Sequence, residues 1–230
     1  MNTKEYSLTV GGKILKAQFT DLADQANGSV IISFGETTLL VTAVMSKKES
    51  EADFFPLTVD FEERFYAVGK ILGSQFVRRE GKPSDDAVLA GRVVDRTIRP
   101  LFDQHIRYPI QVVITALAMG EEDPDTLGVI GASLALSTSN IPFNGPVSGV
   151  HIGKLGEEFI SSPTYAQREE ASLDLTACGK DQNINMIETV AKEINNEDAV
   201  KALEIATVEI EKIQKWQQDI ISEIHKKKEK

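Results

Sequence analysis

Arginine and lysine side chains are concentrated in one segment of an otherwise acidic chain. The 230-residue sequence has a formal net charge of -10. Residues 64–99 contain eight basic and four acidic side chains, so this segment carries +4 and the remainder carries -14. A guanidinium presents its N–H donors as a planar fork that matches phosphate oxygens. The charge separation therefore predicts a local site for a polyanion, and we favour RNA, on a protein whose overall charge repels phosphate.

Three of these arginines are spaced for one face of a helix. With an advance of ~100° per residue, Arg92, Arg96 and Arg99 fall within an arc of ~60°. Small and apolar residues lie on the opposite side and are expected to face the core: Ala87, Ala90, Gly91, Val94 and Ile98. The charge pattern alone also permits a solvated face, in which the arginines pair with Asp85, Asp95 and Asp103.

The segment before this helix favours the binding interpretation. It is a loop interrupted by glycines, and it contains the run Phe76-Val77-Arg78-Arg79 followed by Lys82. An aromatic ring beside arginines can stack on a base while the arginines hold the nucleic-acid backbone. Loop and helix face together predict one RNA-binding groove.

Other polar groups give weaker indications. The acidic turn at 121–125 offers oxygen ligands that suit Mg²⁺, but its central proline and missing distal ligands favour a solvated turn. The three histidines lack the spacing of zinc ligands, so no metal site is predicted. Cys178, the only cysteine, lies in an alternating run typical of a buried strand and suits a reducing compartment.

The surrounding pattern predicts an α+β fold. Gly11-Gly12 and Gly35-Glu36 are hairpin signals, and Ser84 is a good N-cap for the arginine helix. The order is β-β-α-β-α with a long C-terminal helix. We expect a main lobe over 1–145, a smaller lobe over 146–195 and the long helix over 196–230. No signal core or membrane-length apolar run occurs, which predicts a soluble, cytoplasmic protein.

Five sequence blocks resemble the bacterial polynucleotide phosphorylase family. They are residues 53–59 (DFFPLTV), 73–81 (GSQFVRREG), 96–102 (RTIRPLF), 130–133 (IGAS) and 141–146 (IPFNGP). The similarity is to the first of that family's two ribonuclease PH-like halves and covers most of residues 1–190. The helix from Asn196 resembles the start of the helical segment that joins the halves.

The resemblance implies a phosphate-dependent 3′–5′ exoribonuclease that releases nucleoside diphosphates. Its expected cofactor is Mg²⁺, and its expected partners are single-stranded RNA, inorganic phosphate, two further copies in a homotrimeric ring, and degradosome-type proteins. By resemblance, the RNA-binding residues are Phe76, Val77, Arg78, Arg79 and Lys82. The family has a second phenylalanine where this chain has Val77, which weakens stacking there. Arg92 and Arg96, with Arg99, would support the substrate side of the cleft.

The family's catalytic residues belong to its second half. At the counterpart positions here, the serine cluster is absent and Thr176 replaces a lysine. A neutral threonine cannot offset charge on a leaving phosphate. We therefore predict no catalytic residue, no Mg²⁺ bound by this chain alone and no phosphorolysis by it alone. Two alternatives stay open: a stand-alone RNA-binding or scaffold protein, and a subunit that needs a catalytic partner, as in exosome rings.

Overall fold

The first sheet begins with two hairpins. A computed structural model describes residues 3–71, 73, 81–224 and 228. The hairpins join β1 (Lys4–Val10) to β2 (Lys13–Phe19) and β3 (Gly28–Phe34) to β4 (Thr37–Met45). Gly11 and Gly12 have φ of +53° and +79°, and Gly35 has φ of +55°. Positive φ at these turns confirms the predicted hairpins, because glycine adopts it without a Cβ clash.

Two further strands complete this sheet. They are β5 (Leu57–Glu62) and β6 (Ile110–Ala118), and the strand order is β1-β2-β3-β4-β6-β5. The β5 strand pairs with β6 in parallel and has no partner strand on its other side among the described residues. This open edge becomes one wall of the groove described below.

The second sheet is smaller and antiparallel. It contains β7 (Ser148–Leu155), β8 (Glu158–Ser161), β9 (Leu173–Lys180) and β10 (Asn183–Ala191), in the order β10-β9-β7-β8. The β8 strand and the short helix α3 (Tyr165–Glu170) were not predicted from the sequence. The α3 helix is held by a capping box, in which Thr164 and Gln167 each bind the other's backbone N–H.

Three longer helices lie between the two sheets: α1 (Asp85–Ile98), α2 (Pro124–Thr138) and α4 (Asn196–Ile224). Each contacts strands of both sheets. The Ser84 hydroxyl accepts a hydrogen bond of 3.0 Å from the Ala87 amide, which confirms it as the N-cap of α1. The α2 helix begins two residues earlier than predicted, because Asp123 caps it and proline is tolerated in its first turn. The α+β prediction with a long C-terminal helix is confirmed.

The long helix α4 is held to the second sheet by two buried glutamines. Gln214 donates to the Pro146 carbonyl at 3.1 Å, and Gln217 donates to the Val147 carbonyl at 3.0 Å. Both side chains are buried, so these bonds are shielded from water. None of the helices in the described part of the chain has both the length and the apolar character of a membrane span.

Candidate functional site

A groove of about 570 Å³ runs along the contact between α1 and the open edge of β5. Arg92, Arg96 and Arg99 all line this groove, so the structure brings the three helix arginines together. The opposite side of α1 is buried as predicted, and it comprises Ala87, Ala90, Gly91, Val94 and Ile98. Gly91 lies close to the strand, since a Cβ there would stand 3.3 Å from the Val59 carbonyl oxygen.

The three arginines differ in their contacts. Arg99 makes a two-point contact with Asp95, at 3.0 Å from Nε and 2.6 Å from Nη2, and donates to the Leu57 carbonyl at 3.1 Å. The solvated-face pairing therefore applies to this arginine. Arg92 and Arg96 are exposed and have no ion-pair partner among the described side chains. These two guanidiniums remain available to a ligand.

A second pocket of about 560 Å³ continues from the groove around the N-terminal end of α1. The two share Phe61, Glu62 and Pro83 in their walls. Exposed Lys82 and the partly exposed ring of Phe65 lie in this pocket. Phe76, Val77, Arg78 and Arg79 lie outside the described residues, so their predicted roles remain predictions.

A second charged group lies buried between α2 and the second sheet. We call Asp123, His151, Arg168 and Asp174 the buried charge cluster. His151 lies between the two carboxylates, with Nδ1 at 3.1 Å from Asp123 and Nε2 in contact with Asp174. Arg168 also bridges both carboxylates, at 2.6 Å from Asp123 and 3.0 Å from Asp174. The four side chains come from the start of α2, β7, α3 and β9.

The solvated-turn interpretation of the acidic turn is wrong for two of its members. Glu122 is 7% exposed and pairs with Lys13 at 3.1 Å. Asp123 belongs to the buried charge cluster, where its side chain is 10% exposed. The partners come from β2, β7 and α3, and residues so far apart in sequence leave no local signal.

The buried charge cluster shifts the pKa values of its members. Burial opposes ionisation of Asp123 and Asp174, but the hydrogen bond from His151 and the charge of Arg168 outweigh it, so both pKa values are lowered. Burial alone would lower the pKa of His151, yet its hydrogen bonds to the two carboxylates raise it. Asp125 lies nearby, and burial together with the charge of Asp123 raises its pKa to about 7.

Comparison with known proteins agrees with this architecture. Sequence models of the 3′ exoribonuclease family match as domain 1 over residues 14–142 and as domain 2 over residues 145–209. A crystal structure of rice Rrp46 superposes with a TM-score of 0.71 at 12% identity, covering 96% of this chain and 94% of that one. At that identity the likeness shows the fold alone.

Closer sequence relatives are bacterial polyribonucleotide nucleotidyltransferases. That of Thermus thermophilus is 44% identical over 97% of this chain, and that of Exiguobacterium sibiricum is 42% identical over 97%. The Thermotoga protein is 43% identical over 98%. The matched region is only 30 to 32% of the length of these relatives. Because the two family models match most of its length, this chain belongs to the 3′ exoribonuclease family.

Proposed function

We propose that this chain is the N-terminal ribonuclease PH-like half of a polyribonucleotide nucleotidyltransferase, a phosphate-dependent 3′–5′ exoribonuclease. In this proposal the half binds and guides single-stranded RNA and supports a ring, while the second half carries out catalysis. The observation that carries it is the pair Arg92 and Arg96, exposed in one groove without an ion-pair partner among the described residues. The family match and the partial coverage of longer relatives support the same proposal.

The groove suits a phosphate backbone because its helix wall presents two exposed guanidiniums that have no ion-pair partner among the described residues. Arg92 and Arg96 are one helical turn apart, about 6 Å along the axis. Arg99 supports them indirectly, since its two-point contact neutralises Asp95 on the same wall. The second pocket would extend the path towards Lys82 and the loop containing Phe76, Val77, Arg78 and Arg79. Val77 offers no aromatic face, so stacking there depends on Phe76.

The cofactor and assembly proposals concern the whole protein. We propose Mg²⁺ as its cofactor, inorganic phosphate as its co-substrate, a homotrimeric ring, degradosome-type partners and a cytoplasmic location. The two carboxylates of the buried charge cluster do not suit Mg²⁺. These carboxylates, Asp123 and Asp174, already surround the cationic side chains of His151 and Arg168. We therefore assign the metal to the second half.

The groove is tested by the salt dependence of RNA binding. A single-stranded RNA oligonucleotide is titrated with this chain at several salt concentrations. Replacing Arg92 and Arg96 together by alanine should lower affinity and reduce the slope of log K against log salt by about 1.4, because each phosphate contact on a single strand contributes ~0.7. The control Lys47→Ala plus Lys48→Ala removes the same charge from an exposed site outside the groove. Equal slope changes in both double variants would contradict the groove assignment.

The division of labour is tested by adding phosphate and Mg²⁺ to the chain with RNA. We expect no release of nucleoside diphosphate, because the Asp174 carboxylate is already paired with His151 and Arg168 and is not available for catalysis. Measured release would overturn this assignment.

The second candidate function is a stand-alone RNA-binding or scaffold protein. It is favoured by the same observation, that the Asp174 carboxylate is paired with His151 and Arg168. The downstream reading frame distinguishes the two candidate functions, since only the enzyme requires a second half with the serine and aspartate–lysine signatures.

A further inference from the structure

The buried charge cluster connects elements that belong to different parts of the fold. Asp123 precedes α2, which packs on the first sheet, whereas His151, Arg168 and Asp174 belong to the second-sheet region. We propose that the buried charge cluster is a pH-sensitive contact that holds the N-terminal end of α2 against the second sheet and opens more often as pH rises through neutrality. This inference does not depend on RNA binding.

The ion pairs of the buried charge cluster hold the contact closed. Each of the two cations bridges both carboxylates, so neither Asp123 nor Asp174 can separate without breaking two ion pairs. The His151 side chain is 3% exposed. A charge buried this far from water is costly unless a partner compensates it. The stability of the contact therefore depends on which of its acidic and basic groups carry a proton, because this sets the net charge of the cluster.

Other titratable groups lie around the cluster, and their charges act on it. Glu188 on β10 adds negative charge near Asp125, and Glu63 beyond β5 adds it near Tyr165. Asp125, on the first turn of α2, adds a further negative charge only when it is ionised. Tyr165 on α3 and Cys178 on β9 have pKa values raised to about 12, chiefly by burial, so they stay neutral near pH 7. The groups that change charge near neutral pH are thus Asp125 and His151.

Both changes act in the same direction. With Asp125 neutral and His151 protonated, the two cluster carboxylates balance the two cations. Loss of either proton leaves an uncompensated negative charge. The pKa of Asp125 is raised from 3.8 to about 7, so its stabilising effect is complete below 3.8 and is lost as pH rises towards 7. The pKa of His151 is also raised, from 6.5, so its stabilising effect is complete below 6.5 and is lost as pH rises through the raised value.

The only cysteine is placed to report the opening. Cys178 is fully buried on β9. A Cβ built on Gly149 of β7 would meet its Sγ at 2.8 Å and would lie 3.5 Å from the Thr126 Cα of α2. The thiol therefore lies where α2 meets the second sheet, close to Asp125. Separation of the two would expose it to a reagent.

Thiol labelling with an aromatic disulfide reagent between pH 5 and pH 9 provides the test. The rate is divided by the rate for the urea-unfolded chain at the same pH, which removes the intrinsic reactivity of the thiolate. We expect this protection to fall by about tenfold or more over the range, because each proton linked to opening contributes up to tenfold per pH unit. Protection that stays constant with pH in the wild type would overturn the proposal.

Two variants separate the contributions. Asp125→Asn keeps the shape of the neutral acid but cannot ionise, so its protection at alkaline pH should exceed that of the wild type. His151→Gln should be less protected already at pH 6 and should show a flatter profile. Asp21→Asn, at an exposed position, is the matched control and should follow the wild type. An Asp125→Asn profile identical to the wild type would also overturn the proposal, even if His151→Gln fails to fold.

Discussion

Replacement of Gln217 tests whether α4 is an integral part of the second-sheet packing. The amide of Gln217 is fully buried and donates to the Val147 carbonyl at 3.0 Å and to the Ser148 hydroxyl at 2.8 Å. Gln217→Ala removes both bonds and leaves a buried carbonyl without this donor. A buried hydrogen bond contributes about 1 kcal/mol, and an unsatisfied buried group costs about 1–3 kcal/mol. The variant also removes the Gln217 Oε1, which is buried without a hydrogen-bond partner among the described residues, and this offsets part of the loss. We expect the free energy of unfolding to fall by about 1–3 kcal/mol.

Urea denaturation followed by tryptophan fluorescence measures this loss, because the only tryptophan, Trp216, is the neighbouring residue. Gln218→Ala is the matched control, since Gln218 is the same residue type on the exposed side of α4. Its effect should stay within about 0.5 kcal/mol. If Gln217→Ala and Gln218→Ala shifted stability equally, the argument that buried amides fasten α4 to the sheet would be refuted.

Two further predictions use matched pairs of neighbouring positions. Gly131→Ala should destabilise by about 1–3 kcal/mol in urea denaturation, because the new methyl would stand 2.6 Å from Val41 Cγ2 in a packed core. Gly128→Ala in the same helix should be neutral or stabilising by up to about 1 kcal/mol, because alanine favours helix and the new methyl would lie 3.4 Å from its nearest neighbours, Ile114 Cδ1 and Val94 Cγ2. The opposite ranking of the two variants would contradict this account of α2 packing. Burial of Glu122 raises its pKa, but the ion pair with Lys13 outweighs burial, so the pKa is lowered from 4.5. The stabilisation from this carboxylate is therefore present above pH 4.5 and is lost as pH falls through the lowered value. Glu122→Gln should accordingly flatten the fall in the urea midpoint between pH 6 and pH 3. Glu121→Gln, at the exposed neighbouring position, should leave the wild-type profile unchanged, and an equal flattening in both variants would rule out this role for Glu122.

The elements predicted from sequence were those whose signals are local. Glycines at the turns, Gly11-Gly12 and Gly35, identified the hairpins. The spacing of Arg92 and Arg96 identified the exposed side of α1 together with its buried side. The start of α2 was misplaced by two residues because Asp123 and Pro124 were assigned to a turn. The division into lobes over 1–145 and 146–195 stays a prediction.

The buried charge cluster could not be predicted because most of its contacts join residues that are far apart in sequence. Asp123 and His151 are 28 residues apart, and Arg168 is 45 residues from Asp123. A carboxylate beside a proline is usually solvated, and only the arrival of β7 and α3 changes that environment. The lone histidine in an apolar strand was the available signal, since a buried imidazole needs polar partners.

Arg99 has a consequence for association of the chain with itself. An edge strand exposes carbonyl and N–H groups that can pair with a strand of another molecule. The β5 strand is such an edge. The guanidinium of Arg99 donates a hydrogen bond to the Leu57 carbonyl where β5 begins, and it forms an ion pair with Asp95. A foreign strand would have to displace this side chain before it could pair there. Arg99 therefore also limits growth of the first sheet into a larger aggregate.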